Sequence, residues 1–212
     1  MGTTIHAVLQ AWNLARWRKE PFQVAAFKPV FDTAWAEQTA IDWDGEEDKQ
    51  RELAWRLLET YFLETPIKAN EIPEAVEVPV ETDLSQHGLP VLRGVLDLVR
   101  AGGRIVDFKS AGKTPDGRLA EHQHEVQTTS YAVLYRDATG RKESGIELHH
   151  LIKLKTPKVM VTTLPPMTEP QRTRLFRQLE SYVTGLQRED FVPSPGFGCA
   201  GCEFFNECRK WS

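Results

Sequence analysis

The stretch GVLDLVRAGGRIVDFKS, residues 94–110, limits what this chain can fold into more than any other. Two runs rich in Val, Leu and Ile flank a glycine pair, the pattern of a β-hairpin, yet each run carries an aspartate where a core residue is expected. If Ala101, Gly102 and Gly103 form a three-residue loop with Gly103 left-handed, Arg100 opposes Arg104 and Asp97 opposes Asp107. Opposed residues have Cβ atoms about 4.5–5.5 Å apart, and like charges there destabilise a sheet. Lys109 then shares the aspartates' face, while Leu96, Leu98, Val106 and Phe108 point the other way. A two-residue Gly-Gly turn would instead put the aspartates on opposite faces. Two carboxylates held together in an apolar sheet need compensation. A hard divalent cation such as Mg²⁺ or Mn²⁺ supplies it, and so would Lys109 with nearby arginines, or water at the strand ends.

The rest of the chain frames this hairpin. From Thr3 to about Thr65 apolar residues recur at helical spacing, as at Ile5, Leu9, Trp12 and Trp17, with breaks at Pro21 and around Asp42–Glu46. Trp12, Trp35, Trp55 and Phe62 read as core-facing. Residues 75–110 switch to strand character over AVEVPVETDL, LPVLRGVLDLV and RIVDFKS. A helix is expected from about Glu121 to Asp137, strands near 146–154 and 158–164, and a helix from about Glu169 to Gln187. Helices, three strands, a helix, two strands and a helix imply an α/β sandwich around a mixed sheet.

With 212 residues, 41% hydrophobic, and a net charge of −4, the composition is that of a soluble globular chain of about one domain. No apolar run approaches the roughly 18 residues of a membrane span, and the start lacks a signal peptide's pattern, so a cytoplasmic location is expected. Mild acidity excludes a generally basic nucleic-acid coat but not a local basic groove. Arg93, Lys113, Arg118, Lys153, Lys155 and Lys158 are candidates for one, and equally ordinary loop and edge-strand charges.

Several of these residues together resemble the PD-(D/E)XK nuclease superfamily, and more narrowly its RecB-like exonuclease branch, which includes CRISPR-associated RecB-like and AddAB nuclease domains. They are Asp97 in GVLD, the D-x-K of Asp107, Phe108 and Lys109, Gln127 and Tyr131 in QTTSY, and His6 in the G-x-x-x-H of GTTIH. The resemblance implies a restriction-endonuclease-like fold in which residues 1–212 form one nuclease domain, with a helical region (1–70), a catalytic α/β core (71–190) and a Cys-containing tail (191–212). It implies that His6, Asp97, Asp107 and the carbonyl of Phe108 bind Mg²⁺ or Mn²⁺, and that Lys109 contacts the attacking water and the scissile phosphate. Gln127 and Tyr131, at i and i+4 on one helical face, would contact phosphate, Lys109 or metal-bound water. His122, His124, His149 and His150 match no family position and read as surface or strand residues.

The tail adds CAGCEFFNEC, after Pro193 and Pro195, with all three cysteines of the chain at C-x2-C-x5-C spacing. An odd count in a cytosolic chain disfavours disulfides and suits a metal or iron-sulfur site. In the RecB-like branch Cys199, Cys202 and Cys208 resemble three ligands of a 4Fe-4S cluster whose fourth cysteine lies upstream of the G-x-x-x-H helix. That fourth ligand is not in this chain, so an N-terminally trimmed sequence is expected, with a non-cysteine ligand or an empty trio as the alternative. The resemblance implies a metal-dependent DNA nuclease acting on single strands or free ends in repair, recombination or processing. A nucleic-acid-binding or scaffold module of the same fold without chemistry, and a restriction-type endonuclease, are the alternatives.

Overall fold

The computed structural model describes residues 1–39, 41, 43–190, 199 and 202–210. Asp42, Pro193 and Pro195, and the side chain of Arg118, lie outside the described residues. The fold is α/β: five strands in the order β1-β2-β3-β4-β5 form one sheet flanked by helices. They are β1 (Ala75–Thr82), β2 (Leu92–Arg100), β3 (Arg104–Ala111), β4 (Gly145–Ile152) and β5 (Lys158–Leu164). Every neighbouring pair is antiparallel except β3 and β4, which run parallel. A parallel pair needs a long crossover, and here it is helical. The helix expected from about Glu121 breaks at His124 into α4 (Gly117–Gln123) and α5 (Glu125–Thr139).

Three helices, α1 (Gly2–Trp17), α2 (Lys28–Ala36) and α3 (Glu47–Glu64), cover one face of the sheet. Their apolar stripes meet Leu98, Val106, Phe108 and Leu151 in one core, in which Phe31, Leu57, Leu58 and Tyr61 are fully buried. Each such side chain contributes about 1.5–3 kcal/mol. Trp12 and Trp35 are buried as expected and Trp55 and Phe62 half-buried, but Trp17, at the end of α1, is 51% exposed. On the other face α5 and α6 (Glu169–Gln187) bury Leu96, Val99, Ile105, Ile146 and Leu148. The start of α6 is held by a capping box in which Gln171 Oε1 accepts from the Thr168 amide at 2.9 Å.

The hairpin has the three-residue loop. Arg100 pairs with Arg104, Gly103 has φ +74°, and its amide donates to Arg100 O at 3.1 Å. The phase of alternation differs from expectation at one point. Leu98 joins the core under α1–α3, whereas Leu96 joins the core under α5 and α6. On β1 the same break falls between Val76 and Val78, which pair with Leu98 and Leu96. Glu77 lies between them with φ +47°, a left-handed conformation inside a strand that reverses the pleat.

Candidate active site

The β2–β3 ladder stops at Leu98↔Val106, one residue short of the aspartates. Beyond it Asp97 Oδ2 accepts the Phe108 amide hydrogen at 3.0 Å, in place of a ladder bond. The strands part where two carboxylates would otherwise oppose each other, and a side chain satisfies the backbone donor left behind.

From the α1 side His6 reaches this split. Its Nε2 lies 2.9 Å from Phe108 O, and its Nδ1 lies 3.6 Å from Asp97 Oδ2. Glu77 completes the group: one ligand atom each from His6, Glu77 and Asp97 fall within 4.8 Å of one another. Burial pushes the Asp97 carboxyl above its ordinary range, against the Phe108 amide and His6, which lower it. Burial, then the Asp97 charge, raises Glu77 as well. Carboxylates held together in partial burial beside an imidazole and a carbonyl oxygen form a donor set suited to a divalent cation of the Mg²⁺ or Mn²⁺ type.

From the α5 side comes a second cluster centred on Asp107, which is 2% exposed. Lys109 Nζ lies 2.8 Å from Asp107 Oδ2, and donates to Gln127 Oε1 at 2.6 Å and to Asp107 Oδ1 at 3.2 Å. Gln127 Nε2 donates to Tyr131 Oη at 2.8 Å and to Asp107 Oδ1 at 3.3 Å, and Tyr131 Oη donates to Asp107 Oδ1 at 3.4 Å. Burial, then the carboxylates of Asp107 and Asp97, raises the Tyr131 hydroxyl, keeping it a donor. Asp107 Oδ2 is enclosed and faces the Lys109 ammonium at 2.8 Å as an ion pair. Gly94 of GVLD lets α5 approach this closely: a Cβ there would stand 2.8 Å from the Leu134 side chain and 3.9 Å from Tyr131.

All seven residues singled out around the hairpin thus lie at one place, in two subsets. His6, Asp97 and the Phe108 carbonyl gather with Glu77, while Asp107 faces Lys109, Gln127 and Tyr131. Glu77 was missed because in AVEVPVETDL it reads as an outward residue of an alternating strand. The register of β1 on β2, with Val76 opposite Leu98 and Val78 opposite Leu96, brings it across from Asp97, and its left-handed backbone breaks the alternation there. The basic candidate Arg93 is exposed and paired to Glu81 at 2.9 Å. No disulfide joins Cys199, Cys202 and Cys208, and among the described residues they do not form a gathered ligand group. Cys208 ends the short helix α7 (Phe205–Cys208), and Cys202 is exposed.

No curated protein matches this chain. Among solved structures, a proposed exonuclease from Eubacterium rectale superposes with a TM-score of 0.61 at 15% identity, over 86% of this chain and 70% of that one. The protein SSO0001 overlaps with a TM-score of 0.43 at 17% identity over 75% of each chain, too loosely to bear on the fold. Residues 1–209 match the profile of a nuclease family whose fold is the one described above. On a match spanning nearly the whole length, the chain belongs to the PD-(D/E)XK nuclease superfamily.

Proposed function

We propose that this protein is a divalent-metal-dependent DNA nuclease that hydrolyses phosphodiester bonds from strand ends, in DNA repair, recombination or processing. The observation that carries the reading is the adjacency of two sets: His6, Glu77 and Asp97, with the Phe108 carbonyl, and Asp107 with Lys109, Gln127 and Tyr131. The first set would hold Mg²⁺ or Mn²⁺, and the imidazole favours Mn²⁺. When bound, such a cation supplies an acidified water and polarises a phosphoryl oxygen.

The chain's own residues do the rest. Lys109, pinned between Gln127 Oε1 and Asp107, presents a fixed ammonium that orients the attacking water and meets the charge building on the phosphoryl oxygens. Gln127 and Tyr131 keep Lys109 and Asp107 in place before substrate arrives, so little reorganisation remains for the reaction. Asp107, facing Lys109 on one side and lying near Asp97 on the other, links the two sets. In-line attack by water needs no covalent enzyme intermediate. Restriction to ends rests on the structural likeness to an exonuclease and on the RecB-like motif order. A cluster on Cys199, Cys202 and Cys208 forms no part of this reading.

The test compares wild type, Asp107→Ala and Lys109→Ala on linear single strands, blunt duplexes and covalently closed circles, each with Mg²⁺ or Mn²⁺. End-dependent loss of linear DNA by wild type alone is expected. Equal, metal-independent activity in all three would sink the mechanism. Cutting of closed circles would favour a restriction-type endonuclease. DNA binding without turnover would favour a module that has kept the fold and lost the chemistry.

A further inference from the structure

His124 and His150 belong to neither set, yet they continue the same surface. Strands β3 and β4 are parallel partners with Lys109 opposite His150, so both side chains leave the same face, one strand spacing of about 4.8 Å apart. His150 is 2% exposed, and its enclosed Nε2 has no hydrogen-bond partner among the described residues. The His124 ring packs 6.1 Å from it, centroid to centroid, and is half-buried at the site's rim. His124 also occupies the N-cap of α5, so that His124, Gln127 and Tyr131 stand at i, i+3 and i+7 on one face of the helix. Burial lowers both imidazoles first, with Lys109 adding to the effect on each. The lowering favours the neutral ring, which carries one N–H donor and one acceptor nitrogen.

From the metal-binding group the surface thus runs through Lys109 to a pair of imidazoles with an unmet hydrogen bond. Resting on the nuclease reading above, we infer that His124, seated on His150, binds the phosphodiester next to the one being cut. The neighbouring phosphate of an extended strand offers an acceptor oxygen to the accessible His124 ring, which the buried His150 backs from below. The subsite would hold the strand in register over Lys109 without touching the reacting atoms.

The test measures Mn²⁺-dependent cleavage of a single-stranded oligonucleotide, and its binding by anisotropy with Ca²⁺, for wild type, His124→Ala and His124→Asn. His124→Asn keeps a side chain suited to the N-cap and to hydrogen bonding. His124→Ala should raise KM about tenfold with a smaller change in kcat, the size expected for one hydrogen bond to a charged group, and His124→Asn should recover most of it. Two further oligonucleotides carry an uncharged methylphosphonate on one or the other side of the cleaved bond. On one of them the His124→Ala penalty should vanish, because its partner is already gone. The penalty should also be several-fold smaller on bis(4-nitrophenyl) phosphate, which has a single phosphodiester. An undiminished penalty on both modified strands, an equal penalty on the small ester, or no penalty on DNA would each overturn the subsite while the nuclease reading stands. A wild-type chain that neither cuts nor binds DNA would overturn both.

Discussion

Replacing Lys109 by methionine removes the cation that faces a carboxylate 2% exposed, and the cost can be worked from the geometry. Removing one partner of a buried ion pair costs about 3–5 kcal/mol. The Lys109 side chain is itself 25% exposed, so water tempers the loss to about 2–3 kcal/mol. For a domain of this size that lowers Tm by about 5–10 °C. The loss should be largest in EDTA. A divalent cation restores positive charge beside Asp97 and Asp107, so Mn²⁺ should stabilise Lys109→Met more than wild type and narrow the gap between them. Asp107→Asn combined with Lys109→Met removes both charges and should be less destabilised than Lys109→Met alone. Thermal unfolding of the three proteins with EDTA and with Mn²⁺ decides the matter. Equal Tm values for wild type and Lys109→Met in EDTA, or a gap that Mn²⁺ leaves unchanged, would refute the claim that Lys109 is the resident counter-charge of a cation site.

Glu77→Gly should melt no lower than wild type in EDTA and gain up to about 1 kcal/mol, since glycine accepts φ +47° without strain, while Mn²⁺ binding by calorimetry weakens at least tenfold. Gly103→Ala should destabilise by about 2–4 kcal/mol, because a Cβ there meets the Tyr135 ring at a left-handed φ. Gly102→Ala, at φ +80° but in open space, should lose only about 1 kcal/mol in denaturant titrations. Glu71 accepts two hydrogen bonds from Arg100 at 2.7 Å, which hold its carboxyl below the ordinary range. A depressed folded pKa contributes stability above the unfolded value near 4.5 and loses it as pH falls through the folded one, so Glu71→Gln should unfold with a shallower acid limb.

Some of this was legible in the order of residues and some was not, for reasons that particular positions make plain. Element type followed from periodicity: α6 runs over 169–187 and β5 over 158–164, as the apolar spacing implies. The glycines of AGG carried the odd loop length, hence the Arg100↔Arg104 register, because a left-handed residue closes that turn. The expected facing of Asp97 and Asp107 did not follow, since the ladder ends at Leu98↔Val106 and the two carboxylates turn to different partners. Side-chain alternation was less secure. Leu96 changes faces because the pleat reverses at Glu77, a backbone event with no signature in residue type.

The sequence by itself determined the local geometry and the chemical inventory: a hairpin with its aspartates near one end, D-x-K on one strand, and Gln and Tyr at helical spacing. Those facts depend on interactions within a few residues, which propensity and period encode. Only the tertiary structure decided how the inventory divides. It brought His6 within 3.6 Å of Asp97 across 91 positions and added Glu77 to that pair. It also turned Asp107 toward α5 and set His124 against His150. Such meetings are fixed by which faces of distant elements bury against one sheet, and that is settled by the whole core at once.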